Sequence, residues 1–118
     1  MRIISQTGKT DVPYENFVFS ILNSSGGNYG IVAVKNVAEP PEVFLNSLIA
    51  TYSTEAKAIK AMEMLREQYK ALEVLKVLAN GTAEHMEKSF KLDEFAEYNR
   101  AYRDMNVFQF PQDDEIEV

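Results

Sequence analysis

Residues 1–21 read MRIISQTGKTDVPYENFVFSI, and this stretch decides the fold. Residues 2–6 alternate in the manner of a strand, with Ile3 and Ile4 as apolar anchors. Residues 7–11 form a polar turn around Gly8. Val12-Pro13 forces extended backbone, and Pro13 marks a sheet edge or a bend. Residues 17–22 (FVFSIL) are aromatic and β-branched, the composition of a second strand. Phe17, Phe19 and Ile21 fall on one face and are expected to point inward.

Working outward, residues 23–28 (NSSGGN) predict a hairpin loop whose glycines, Gly26 and Gly27, can take positive φ. Residues 29–35 predict the returning strand. Glu39-Pro40-Pro41-Glu42 breaks the pattern, and residues 44–52 read as a fourth strand centred on Leu48 and Ile49. Ser53 or Thr54 then caps a helix that the pattern carries to about residue 79, where Asn80-Gly81 reads as a stop. One apolar stripe follows Ala58, Met62, Leu65, Tyr69 and Leu72. A second follows Ala71, Val74, Leu75 and Leu78. So wide an apolar surface needs two partners: the chain's own sheet, and either another part of the chain or a second subunit. Thr82 predicts the start of a shorter helix through Met86 and Phe90. Residues 93–104 continue as helix or pack as a loop, and 107–110 (VFQF) form a last strand before Pro111.

The expected class is α+β, an antiparallel β-sheet packed against one long and one shorter α-helix. The sheet is assembled from the first half of the chain plus residues 107–110. Residues 1–111 are expected to form a single domain, and 112–118 an acidic, solvated tail that folding does not need. A chain of 118 residues can bury a core without staples. It has no cysteine, which excludes disulfides, thiolate zinc sites and a thiol nucleophile. The net charge is -6, and Asp113, Asp114, Glu115 and Glu117 carry -4 of it. The balance disfavours nonspecific binding to DNA, which needs a basic face. No apolar run is long enough to predict a membrane span or a secretory leader.

Catalytic signatures are absent from the sequence. His85 stands alone, no serine lies in a nucleophile elbow, and Gly26-Gly27 lacks the lysine and helix of a phosphate loop. The expectation is therefore a protein that is not an enzyme, with no metal and no cofactor. Residues 90–103, FKLDEFAEYNRAYR, are the chemically loaded segment. Phe90, Phe95, Tyr98 and Tyr102 offer aromatic faces, Asn99 an amide, and Arg100 and Arg103 guanidinium forks. Stacking, edge reading and phosphate binding use those groups. The same rings at the same spacing also suit a plain core, with the arginines lying along its edge.

The opening RIISxxGxxDxPYEN, the helix start YSTEAKAIKAMEMLR and the close VFQFPQDDEIEV resemble small phage and prophage proteins of Gram-positive hosts. Among characterised groups the chain resembles the Thoeris anti-defence sponge family over most of its length. That resemblance implies a phage protein acting in the host cytoplasm. It implies sequestration of a cyclic ADP-ribose signal, or of cyclic oligonucleotides, without catalysis. It also implies homo-oligomers, dimers or assemblies up to a hexamer, with pockets at subunit interfaces. Phe90, Asn99 and Arg103, with Arg100 behind them, are the ligand-binding residues it implies. The family pocket draws a basic residue from the early hairpin, where this chain has Asn28 and Lys35 is the nearest cation. The alternative is a phage protein that inhibits a host protein by direct binding.

Overall fold

The computed structural model describes all residues except 24–25, 36–45, 90–91 and 118, together with all side chains outside these but for 46–47 and 78–98. The chain runs β1 (Arg2–Ile4), β2 (Asp11–Pro13), a 3-10 turn (Tyr14–Asn16), β3 (Phe17–Asn23), β4 (Tyr29–Lys35) and β5 (Asn46–Tyr52). Then follow α1 (Glu55–Ser89), α2 (Leu92–Met105), β6 (Val107–Gln109) and a second 3-10 turn (Asp113–Glu115). The class is α+β, with an antiparallel sheet β3-β4-β5 against the long helix α1 and the shorter helix α2 beyond it.

One expectation needs correction. β1 and β2 do not join that sheet, and neither does the last strand. It lies parallel to β1, Ile3 opposite Phe108, in a second sheet of order β2-β1-β6. The physical reason is burial of one shared face: Ile3 and Phe108, side by side, and Phe110 beyond them are all core residues. The β3–β4 register, Phe19 opposite Ala33 and Ile21 opposite Ile31, puts the odd positions inward as expected. Phe17, Phe19 and Ile21 pack against the core, while Val18 and Leu22 on the other face are 51% and 52% exposed. Of the hairpin glycines only Gly27 takes a positive φ, +81°.

The β4–β5 register shifts between Ile31, opposite Ala50, and Val32, opposite Leu48, so Ile49 is the extra residue of a bulge. The bulge turns both Ile49 and Ala50 into the core and leaves Leu48 61% exposed. It also aims the Ile49 carbonyl at the other sheet, where it accepts the Gln6 N–H at 2.8 Å. The Gln6 side chain completes this junction. Its Oε1 accepts the Thr51 N–H at 3.0 Å, and its Nε2 donates to the carbonyls of Thr51 (3.2 Å) and Pro111 (3.0 Å).

Thr54 is the helix cap: its Oγ1 accepts the Lys57 N–H at 3.2 Å. Ala58, Ala61, Leu65 and Leu72 form the buried stripe of α1, with Met62 and Tyr69 beside it. Small side chains at 58 and 61 let the helix approach Ala33 and Ala50 closely. The helix does not stop at Asn80-Gly81 but continues to Ser89. A glycine inside a helix costs only about 1 kcal/mol relative to alanine, and helix-forming residues flank the pair on both sides. Of the second stripe, Ala71 is exposed, Val74 is 59% exposed, and Leu75 is half-buried. Leu78 lies outside the described side chains. Gln68 instead ties α1 to the end of α2, its Nε2 donating to the carbonyls of Met105 (3.0 Å) and Val107 (2.7 Å). The first of these is a carbonyl that the end of α2 leaves unpaired.

The expectation of a solvated tail is also corrected. Ile116 is buried in the core cluster. Asp113 accepts from the Ser53 N–H (2.8 Å) and Oγ (2.9 Å) and from Lys57 Nζ (3.2 Å), and Gln112 Nε2 donates to the Gln6 carbonyl at 2.7 Å. Four acidic residues in a row of six hid an apolar anchor and a carboxylate aimed at the start of a helix, where the positive end of the dipole favours it.

Two outcomes follow. Deleting residues 112–118 should lower the melting temperature by several degrees, because it removes Ile116 burial, worth about 2 kcal/mol, and the clasp on Ser53. Calorimetric melts of the full and shortened chains check this. Glu15 and Asp113 are both held below their ordinary values of 4.5 and 3.8. The hydrogen bond from the Met1 ammonium acts first on Glu15, and the Ser53 N–H acts first on Asp113. A carboxylate depressed in the folded state stabilises above its unfolded value, and that stability is lost as pH falls through its folded value. Melting temperature should therefore decline as pH drops below about 4.5, and Asp113→Asn should flatten part of that decline.

Candidate functional site

One concave feature that the described residues line is a groove of about 540 Å³ beside β3. Its first wall is the 3-10 turn and β3, presenting Tyr14, Phe17 and Phe19. Its second wall is α1, presenting Met62, Leu65 and Tyr69 at the three- and four-residue spacing that places them on one helix face. Val18 at the rim and two charged side chains, Glu15 and Arg66, complete the lining.

The rings form a continuous column. Tyr69 meets Tyr14 at 4.4 Å between centroids, Tyr14 stacks on Phe19 at 5.7 Å, Phe19 reaches Phe110 at 6.4 Å, and Phe110 meets Phe108 edge-on at 5.2 Å. The column therefore runs from the groove through β3 into the second sheet. Pro13 makes it possible, because its extended backbone (φ -74°, ψ 129°) leads straight into the 3-10 turn that swings Tyr14 toward the helix.

The two charges are not equivalent. Glu15 Oε1 accepts from the Met1 ammonium at 2.9 Å, which holds the carboxyl below its ordinary range. Arg66 is exposed and enters no ion pair among the described residues. Partial burial raises the Tyr69 hydroxyl above its ordinary pKa, with the Glu73 and Glu15 carboxylates pushing the same way. The groove thus offers neutral aromatic and aliphatic surface, neutral hydroxyls and one unmatched cation. Among the described residues no three His, Asp or Glu side chains come together to hold a metal. No helix among them is long and apolar enough to cross a membrane.

The residues singled out from the sequence lie elsewhere. Asn99, Arg100 and Arg103 sit on α2, all exposed, and none lines the groove. Phe90 lies outside the described residues. Asn99 and Arg103 are one turn apart on one face of α2, and Arg103, in its last turn, enters no ion pair among the described residues. Tyr102, one residue earlier, turns inward against the core. Sequence reasoning passed over Tyr14 and Arg66. The signal for Arg66 was its place next to Leu65, between Met62 and Tyr69, where an exposed arginine borders the apolar stripe.

Truncating Tyr14 to alanine should cost about 2 kcal/mol of stability, since it cuts Tyr69 off from the rest of the column. Arg66→Ala should cost less than about 0.5 kcal/mol, being exposed and unpaired. Urea unfolding of both variants measures the difference and separates scaffold from site.

No protein-family model, curated protein or solved structure matches this chain.

Proposed function

We propose that the protein acts by binding and not by catalysis, and that it sequesters a cyclic ADP-ribose-type signal, or a cyclic oligonucleotide, in the cytoplasm of a phage-infected host. The reading rests on the family resemblance of the sequence. One structural observation supports it: Asn99 and Arg103 share an exposed face of α2, with the Arg103 guanidinium unpaired among the described residues. Arg100 stands one turn before Arg103. An amide and guanidinium forks at this spacing suit an adenine edge and a phosphate. Such groups bind weakly while exposed to water, so a strong site needs a second subunit to cover α2 and dry it. Self-association, as a dimer or a larger assembly, belongs to the same proposal.

A second reading, direct binding to a host protein, is favoured by Val18, Leu22 and Leu48. All three are more than half exposed on the outer face of the β3-β4-β5 sheet.

Calorimetry with cyclic ADP-ribose and cyclic oligonucleotides tests the first reading. Wild type should bind one of them. Arg103→Ala should weaken that binding by at least about tenfold with the assembly intact, and Arg103→Lys should recover only part of it because the fork is lost. Wild type that binds none of these ligands overturns the sponge reading.

A further inference from the structure

We infer that the groove between β3 and α1 is a strand-accepting site, which takes an extended segment of a partner protein as a fourth strand beside β3. It goes beyond the proposal for α2, since none of Asn99, Arg100 and Arg103 lines this groove.

Among the described residues β3 is an outer strand of its sheet, bonded to β4 on one side only. An open edge presents backbone N–H and C=O groups that an added strand can pair. Proteins blunt such edges with lysine, proline or an inward charge. β3 reads FVFSILN and carries none of these over seven residues. The opposite edge of the same sheet is handled differently. On β5 the Gln6 amide pairs both the N–H and the carbonyl of Thr51, as a neighbouring strand residue would. One edge is capped at Ile49 and Thr51, and the other has no such partner among the described residues.

The surroundings of the open edge fit an incoming strand on both of its faces. Side chains pointing inward would enter the groove between Phe17 and Phe19 on one wall and Met62 and Leu65 on the other. Side chains pointing outward would extend the exposed Val18 and Leu22 row. The Phe17 N–H is already taken by the Tyr14 carbonyl, so at about 3.3 Å per residue the six residues Val18–Asn23 accept a segment of similar length.

Charge selects the occupant. Glu15 is matched by the Met1 ammonium, and Arg66 is matched by nothing among the described residues. A segment with apolar residues at alternate positions and one carboxylate on its inward face satisfies Arg66. A second copy of β3 carries no carboxylate and leaves it unmatched. The partner is therefore a protein with an exposed, alternately apolar strand bearing an Asp or Glu.

Fluorescence anisotropy with labelled heptapeptides that alternate Ile and Thr, one Ile replaced by Glu, Gln or Lys, tests the inference. The Glu peptide should bind the full-length protein, and the Lys peptide about tenfold more weakly. Arg66→Ala should abolish the preference for Glu over Gln while retaining the fold. N-methylation along the pairing edge of the peptide should abolish binding without touching the protein. The inference is overturned if no Glu peptide binds, or if binding survives N-methylation. It is equally overturned if hydrogen exchange in the peptide-free protein shows the β3 edge amides already protected by self-association. The peptide result and the cyclic ADP-ribose result stand or fall separately, because they use different ligands and different arginines.

Discussion

The structure depends on one side chain standing in for a strand. Gln6 follows β1 and belongs to no regular element, yet it bonds across to Ile49 and Thr51 of one sheet and to Pro111 beyond β6 of the other. An amide side chain has both a donor and an acceptor, so it can satisfy a backbone N–H and C=O together. No aliphatic residue could do this, and a carboxylate would lack the donor. The bulge at Ile49 is the complementary half of the arrangement, since it aims a carbonyl outward where a regular ladder would have none. Two small three-stranded sheets, each marginal alone, share one core through this junction.

The C-terminal segment is locked by the same logic. Gln112 donates to the Gln6 carbonyl, the Tyr52 hydroxyl donates to the Pro111 carbonyl at 2.8 Å, and Asp113 holds the start of α1. The entry to the helix, the end of β5 and the end of the chain are therefore one polar knot over a core of Ile3, Tyr52 and Phe110. Fixing that side of the sheet leaves α1 under β4 and β5, and leaves β3 overhanging the groove. The scaffold is asymmetric, with one sheet edge capped at Thr51 and the other without a neighbouring strand among the described residues.

Much of this was legible in the sequence. The alternation of Phe17, Phe19 and Ile21, the extent of β4 and the stripe from Ala58 to Leu72 were fixed by periodicity, which encodes local burial directly. What was not legible depends on distant partners. Gln6 is an ordinary polar residue after a strand until Thr51 is placed beside it. The acidic tail reads as solvated because charge dominates its composition, while a single isoleucine at 116 decides its docking. Parallel pairing of β1 with β6 spans more than a hundred residues of sequence and leaves no periodic mark. The candidate site divided in the same way. Arg103 stood out by residue type, whereas Arg66 gained meaning only once β3 was seen to be an open edge.

The most direct measurement is the unfolding free energy and amide exchange of Gln6→Ala. Among the described residues its side chain is all that pairs the outer edge of Thr51, and an unpaired backbone group costs roughly 1–3 kcal/mol. The account predicts a loss of about 2–4 kcal/mol, with the Thr51 amide losing protection while the β3–β4 amides keep theirs relative to global unfolding. A variant within about 0.5 kcal/mol of wild type, with Thr51 still protected, would contradict the claim that one glutamine joins the two sheets.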